Sequence, residues 1–252
     1  MPLTYLSHQA AVVPLKMWRP TWFDGTALVF GSMAPDWAYV ANGSRFYVNA
    51  HVWPGMVWFA VTAATLATLL VRKLEPQIVA GLPRQPRLMG DFACRRAVRR
   101  HLLAIVGCAA LGVATHVIWD AFTHDFRWGP QHIAWLRAQV TIAGRSMSRA
   151  HLLQQISTVG GAVVTVALLA VISRRRLVLR WRPEERAAVP RGDVRVYVVT
   201  ALGALVGALW ASGADGDIAA AINRFALTTA AAYLAAAALF IRSRESAHAD
   251  QS

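Results

Sequence analysis

Five long apolar runs restrict what this chain can fold into more than any other feature of the sequence. Each has about the 17–25 residues that an α-helix needs to cross the hydrocarbon core of a bilayer. Only 15% of the residues are charged, whereas soluble domains carry about 25%. The sequence therefore predicts an all-α, polytopic membrane helix bundle, with spans at residues 52–71, 102–122, 156–172, 194–212 and 225–241.

The basic residues are distributed unevenly between these runs. A formal net charge of +13 would suit nucleic-acid binding in a soluble chain. Here eight Lys and Arg fall between residues 72 and 100 and eight more between 174 and 195, while the alternate connections hold fewer. This is the positive-inside pattern. It predicts a multi-pass plasma-membrane protein with its N-terminus outside and its C-terminus in the cytoplasm, in contact with membrane lipid and not with nucleic acid.

The N-terminal part of the chain has a different pattern from the C-terminal part. Residues 21–36 form an apolar run that is too short for an ordinary span, which predicts a re-entrant or interfacial helical segment. Asp24 is placed to cap its start. The last two runs contain no ionisable residue in their central parts. We therefore expect a metal-site membrane domain over residues 1–172 and a scaffold over 173–252, which comprises a basic loop and two spans.

One span carries three polar residues at regular spacing. His116, Asp120 and His124 follow one another at i, i+4 intervals, so on a helix they project to one face over about two turns. Imidazole and carboxylate groups are common ligands of divalent metals. The alternative for His116 and Asp120 is a structural pair, with Asp120 bonded to Thr123 and His116 bonded to a neighbouring helix. His124 is equally well explained as the solvated end of the span.

The charge pattern places other polar residues on the same side of the membrane. His8 and Asp36 precede the first span, and His51 opens it at its outer end. Together with the helical motif they offer enough imidazoles and carboxylates for a zinc site or two adjacent metals. Taken singly, His8 could be an exposed residue near a terminus and Asp36 a loop carboxylate. Their convergence predicts a divalent metal, with zinc favoured, bound at the outer face.

Three segments of the sequence resemble an uncharacterised family of bacterial and archaeal integral-membrane proteins, a domain of unknown function. They are LSHQAAVVPL at residues 6–15, GSMAPD at 31–36 and THVIWDAFTH at 115–124. That family is distantly similar to membrane-bound metal-dependent hydrolases and, more remotely, to zinc-dependent phospholipase C and P1 nuclease. The resemblance implies ligand roles for His8, Asp36, His51, His116 and Asp120. It also implies a histidine at or near Gln155, where this chain has none.

Two functional hypotheses follow from the sequence. The first is a membrane-embedded metal-dependent hydrolase that acts on a phosphoester or another ester of a lipid or envelope substrate at the outer leaflet. Asp36 and Asp120 are its candidate catalytic carboxylates, since a carboxylate that does not bind the metal can serve as general base. The second is a non-enzymatic scaffold, accessory or transport-like protein, in which case His8, Asp36 and His116 need not lie within about 10 Å of one another.

Overall fold

The computed structural model describes residues 4–82, 91, 101–181 and 192–241, and these are mostly helical. The all-α fold class is confirmed. Within the described residues, five helices are long and apolar enough to cross a membrane. We number them as spans 1 to 5. They are Met56–Lys73, Leu102–Thr123, Arg149–Arg174, Val194–Ser212 and Ile218–Phe240.

The ends of these helices show what an apolar pattern can and cannot define. Span 4 has the predicted bounds. It begins after Asp193, whose side chain accepts a hydrogen bond from the backbone N–H of Arg195 and so caps the helix. Span 5 begins seven residues earlier than predicted, at Ile218, because Asp217 caps it there. The helix therefore includes Arg224, which the hydropathy pattern places in the preceding connection. In spans 4 and 5 the capping aspartate, and not hydropathy alone, marks the residue at which the helix begins.

Short helices precede span 1 and connect the longer ones. The N-terminal set is α1 (Thr4–Ser7), α2 (Gln9–Trp18), α3 (Gly25–Gly31) and α4 (Ala34–Trp37), followed by a 3₁₀ turn, Ala38–Ala41. Span 1 itself opens with a π-helical turn, Met56–Val61, before its α-helical part, Thr62–Lys73. The remaining short helices are Glu75–Ala80, Trp128–His132, Ala134–Arg137 and Leu177–Trp181.

The connection between spans 2 and 3 contains a small antiparallel hairpin that the sequence pattern does not predict. Strands β1 (Gln139–Ile142) and β2 (Arg145–Ser148) pair with Ile142 opposite Arg145. Ala143 and Gly144 both have positive φ, as a tight hairpin turn of this kind requires. The short helix Ala134–Arg137 ends just before this hairpin.

The chain divides into two compact units that alternate along the sequence. Unit 1 comprises Met1–Pro35, Asn49–Thr65 and Leu102–Leu169, and unit 2 comprises Asp36–Val48, Leu66–His101 and Ala170–Ser252. In unit 2, spans 4 and 5 pack through small residues. For example, a Cβ at Gly207 would lie 3.1 Å from the backbone of Phe225. The assignment of a metal-site role to residues 1–172 and a scaffold role to 173–252 stays a prediction.

In unit 1, helices α2 and α3 form a helical hairpin against span 2. The Asp24 side chain accepts the backbone N–H of Ala27 at 3.0 Å, which confirms its predicted role as the cap of α3. A Cβ at Gly112 would lie 2.5 Å from the carbonyl oxygen of Leu28 and 2.8 Å from the amide nitrogen of Ser32. Only glycine permits this approach, so α3 lies directly against the backbone of span 2.

Candidate metal centre

Span 2 supplies two buried polar side chains that face each other along one helix face. His116 is 1% exposed and Asp120 is 7% exposed. The i, i+4 spacing brings Nε2 of His116 to 3.4 Å from Oδ2 of Asp120. The Thr123 hydroxyl donates to the carbonyl of Trp119 at 3.1 Å, so a Thr123–Asp120 pair does not account for the carboxylate. The predicted common face of His116 and Asp120 is therefore present in the fold.

His51 reaches the same point from the turn that precedes span 1. Its backbone N–H donates to the side-chain oxygen of Asn49 at 3.2 Å, which holds the turn. Its Nε2 lies 3.2 Å from Nε2 of His116 and 3.5 Å from Oδ2 of Asp120. The side chain is only 2% exposed. Two imidazole nitrogens and one carboxylate oxygen thus converge in a buried space.

The N-terminal helices bring His8 to the other oxygen of the same carboxylate. His8 lies at the junction of α1 and α2, and its ring stacks on that of His116 with 3.9 Å between the centroids. Its Nε2 lies 3.7 Å from Oδ1 of Asp120. The residue is buried, so the interpretation of His8 as an exposed terminal histidine is wrong.

Asp36 completes a group of four potential ligands. It follows Pro35 in α4, and its carboxylate is one of four side chains, with those of His51, His116 and Asp120, that offer one ligand atom each. All four atoms lie within 4.8 Å of one another. Asp36 is partly buried, while the other three are buried.

A hydrogen bond to the backbone fixes the orientation of the His116 ring. Its Nδ1–H donates to the carbonyl of Ser32 at 2.8 Å. In the neutral ring this leaves Nε2 unprotonated, with its lone pair directed toward Asp120 and His51. Histidine ligands in metal proteins are commonly held in this way, by a backbone or carboxylate partner on the second nitrogen. A hydrogen bond to a neighbouring segment is what the structural interpretation of His116 predicts. That interpretation explains the position of Nδ1 but not the direction of Nε2.

A second layer of contacts holds Ser32 itself in place. The Ser32 hydroxyl donates to the side-chain oxygen of Gln9 at 3.1 Å, and the Gln9 amide donates to the carbonyl of Tyr5 at 3.0 Å. Neither Ser32 nor Gln9 is named by the sequence pattern as part of a site. Both residues lie in segments that carry the family resemblance, at residues 6–15 and 31–36. The role of Ser32, however, is played by its backbone carbonyl, which every residue type has, so the sequence does not reveal it.

His124 occupies a more peripheral position than His116. Its Nδ1 lies 3.8 Å from Oδ1 of Asp120, and its side chain is 24% exposed. The Gln154 amide donates to Nε2 of His124 at 2.8 Å, so the neutral ring carries its proton on Nδ1, toward the carboxylate. Burial lowers the pKa of His124, and the Asp120 carboxylate opposes this shift. The geometry suits a group that orients Asp120; a ligand role for His124 stays a prediction.

The resemblance implies a histidine at or near Gln155, but the glutamine that contacts the cluster is Gln154. Gln155 points to the half-buried His151, with 2.8 Å between its amide nitrogen and Nε2 of that ring, whereas Gln154 contacts His124. Both glutamines lie on span 3, where successive residues are turned by about 100°. Because of this turn, a one-residue error in placing the expected histidine moves it to a different helix face.

The donor set and its spacing fit a divalent metal. In a tetrahedral site with bonds of about 2.1 Å, two ligand atoms lie roughly 3.4 Å apart. The contacts among His51, His116 and Asp120 are 3.2, 3.4 and 3.5 Å. Mixed imidazole and carboxylate ligands suit zinc and other first-row divalent ions. A buried Asp and His cluster that could hold a metal ion is therefore present, as expected from the sequence.

Comparison with known proteins places the chain in a family. The family model described as "Domain of unknown function (DUF4184)" matches residues 1–242. No curated protein and no solved structure matches the chain. The resemblance to an uncharacterised family is confirmed by the first of these findings, while the more distant likeness to metal-dependent hydrolases stays a prediction.

Proposed function

We propose that the chain, which belongs to the DUF4184 family, is a membrane-embedded metal-dependent hydrolase. Its substrate would be a phosphoester or another ester of a lipid or envelope component. The observation that carries this proposal is the convergence of Asp36, His51, His116 and Asp120, whose ligand atoms lie within 4.8 Å of one another.

The cost of burying these groups supports a bound cation. Ionisable residues in membrane helices are expensive and usually functional. The Asp120 carboxylate is buried, and its side-chain neighbours are imidazoles at 3.4 to 3.8 Å. Among the described contacts, no lysine or arginine pairs with it. A divalent ion would offset the charge of Asp120 and Asp36 together. One proton shared by His51 and His116 would leave more of that charge uncompensated.

The residues divide into two roles. His51, His116 and Asp120 are the best-buried donors and are assigned as ligands. Asp36 is the most exposed of the four, and its carboxylate is suited either to complete the ligand set or to accept a proton from the attacking water. A divalent ion held there would supply Lewis acidity, which activates water and stabilises negative charge on the attacked ester.

The position of the cluster along span 2 supports a site near one membrane surface. Asp120 lies three residues from the end of the helix at Thr123. The basic residues 95–100 precede the opposite end. If those basic residues are cytoplasmic, as the positive-inside rule indicates, the cluster faces the outer leaflet of the plasma membrane, with the C-terminus in the cytoplasm.

Metal analysis of the detergent-purified protein tests the proposal. We expect about one equivalent of zinc or a similar ion per chain. His116→Ala and Asp120→Ala should each lose the metal. His101→Ala should retain it, because His101 is exposed and precedes the opposite end of span 2. A wild-type protein that melts cooperatively and takes up no divalent ion would contradict the proposal.

A separation of more than about 10 Å between His8, Asp36 and His116 would have favoured the scaffold hypothesis. The rings of His8 and His116 are in fact stacked at 3.9 Å, and the ligand atoms of Asp36 and His116 lie within 4.8 Å. An ester-cleavage assay with the metal-loaded protein, and with Asp36→Asn as the paired variant, distinguishes a hydrolase from a metal-stabilised scaffold.

A further inference from the structure

The tip of the N-terminal hairpin carries a cation between two exposed aromatic rings. The guanidinium of Arg19 lies 5.1 Å from the ring centroid of Trp18 and 5.4 Å from that of Trp22. These tryptophans are 67% and 69% exposed, and Arg19 is exposed as well. Among the described residues, no carboxylate pairs with this guanidinium and no acceptor receives its N–H groups.

Contacts along span 2 show how deep the hairpin reaches. At the base of the hairpin, the Ser32 carbonyl accepts the Nδ1–H of His116. Further along, the backbone N–H of Asp24 points to Sγ of Cys108 at 3.2 Å. From Cys108 to Asp120 is about 18 Å along the helix axis, and from Cys108 back to Leu102 is about 9 Å. Residues 18–23, which connect α2 to α3, therefore lie near the end of span 2 that is opposite the metal centre.

Hydrogen bonds within the loop fix the conformation of the tip, so the Arg19 side chain is not needed for that purpose. The Lys16 ammonium donates to the carbonyls of Pro20 and Phe23 at 2.6 and 2.8 Å. Asp24 is buried and caps α3. Arg19, Trp18 and Trp22 are thus left facing the surroundings of the protein, in a loop whose shape is already fixed.

We propose that this Trp18–Arg19–Trp22 tip binds the headgroup of an anionic phospholipid in the leaflet opposite the metal centre. Tryptophan and arginine are the residues that anchor membrane proteins at the headgroup level. A guanidinium forms bidentate hydrogen bonds with phosphate, and a depth of about 9 Å from the helix start is within reach of its long side chain. With this arrangement Lys16 and Arg19 lie on the cytoplasmic side, whereas the charge pattern of the sequence assigns the residues before span 1 to the outside.

Lipid retention in nanodiscs tests the partner. The wild-type chain is reconstituted into phosphatidylcholine with an equal share of phosphatidylglycerol, and the bound lipid is counted by native mass spectrometry. Arg19→Gln should retain phosphatidylglycerol about fivefold less well, because one basic residue near an anionic surface contributes about that factor. Arg145→Gln, in the turn region at the other end of unit 1, should match the wild type, and Arg19→Lys should keep most of the retention.

Side-specific labelling tests the depth. In a Cys94→Ser background, Arg19→Cys and Arg145→Cys should react with a membrane-impermeant maleimide from opposite faces of sealed vesicles, since Cys108 is buried. Labelling of both positions from the same face would overturn the proposal. Equal retention of phosphatidylglycerol by Arg19→Gln and the wild type, or an equal loss with Arg145→Gln, would also overturn it.

Discussion

Each of the two units holds polar side chains among its helices, but the half-buried Arg224 of unit 2 and the buried cluster of unit 1 are satisfied in opposite ways. In unit 2, the Arg224 guanidinium donates to the carbonyls of Gly213, Asn42 and Val40 at 2.9, 3.0 and 3.3 Å. In unit 1, the polar groups of His51, His116 and Asp120 point at one another.

The difference separates a structural polar group from a candidate site. Arg224 closes helix ends and a turn, because unpaired carbonyls there would be costly in a membrane. In unit 1, the His116 imidazole uses Nδ1 for such a contact, with the carbonyl of Ser32, and directs Nε2 toward His51 and Asp120. Side-chain donor atoms that converge within 4.8 Å of one another are what a bound metal ion requires.

The largest effect is expected where the backbone of the hairpin touches span 2. Gly112→Leu would force a side chain into the carbonyl of Leu28 and the amide of Ser32. Overpacking of this kind costs about 1–3 kcal/mol or more. It would also displace Ser32 from His116, so both the melting temperature and metal binding should fall. Gly107→Leu is the matched control, because among the described residues nothing lies within 4 Å of a Cβ there; equal behaviour of the two variants would refute this packing.

Arg224→Ala should separate stability from metal binding. Loss of the guanidinium leaves several carbonyl acceptors of unit 2 without their donor, and a charged hydrogen bond of this kind contributes about 2 kcal/mol. The melting temperature in detergent should therefore decrease while metal content stays at the wild-type value. If Arg224→Ala also lost the metal, the distinction between a structural and a functional polar cluster would be wrong.

The fold class and the core of the candidate site were accessible from the sequence, and their surroundings were not. Apolar runs identify spans because the bilayer requires them, and the i, i+4 spacing of His116 and Asp120 defines a face without any knowledge of neighbours. The orienting carbonyl of Ser32 and the close approach at Gly112 depend on how separate segments pack. A pattern along one segment contains no information about that packing.

His124→Ala should have a smaller effect on metal affinity than His116→Ala. His124 contacts the carboxylate through Nδ1 at 3.8 Å and is held by Gln154, so its removal loosens Asp120 without removing a donor of the four-residue group. Loss of such an orienting partner commonly reduces metal affinity about 10–100-fold. Competition with a chromophoric chelator measures it, with His132→Ala as the control for an exposed histidine. Complete loss of metal in His124→Ala would make this residue a ligand.

The smallest effect concerns the cap of span 5. Burial raises the pKa of Asp217, but the backbone N–H of Ala220 and the amide of Asn42 outweigh it and leave the pKa below its ordinary value. A lowered pKa means that the stabilisation is present above the unfolded-state value of about 3.9 and is lost as the pH falls through the folded-state value. Thermal melts from neutral pH into this acidic range should therefore converge for wild type and Asp217→Asn. Asp215→Asn, in the same turn, is the matched control for loss of a carboxylate that does not cap the helix.

X-ray absorption at the zinc edge reports the ligands of the metal in the folded protein, so it identifies the side chains that form the metal centre. With the zinc-loaded wild type, we expect a shell of nitrogen and oxygen at about 2.0–2.2 Å with the outer-shell scattering of imidazole. This imidazole scattering should weaken in His51→Ala. A sulfur shell at about 2.3 Å, or a zinc environment without imidazole, would contradict a centre built from His51, His116 and Asp120.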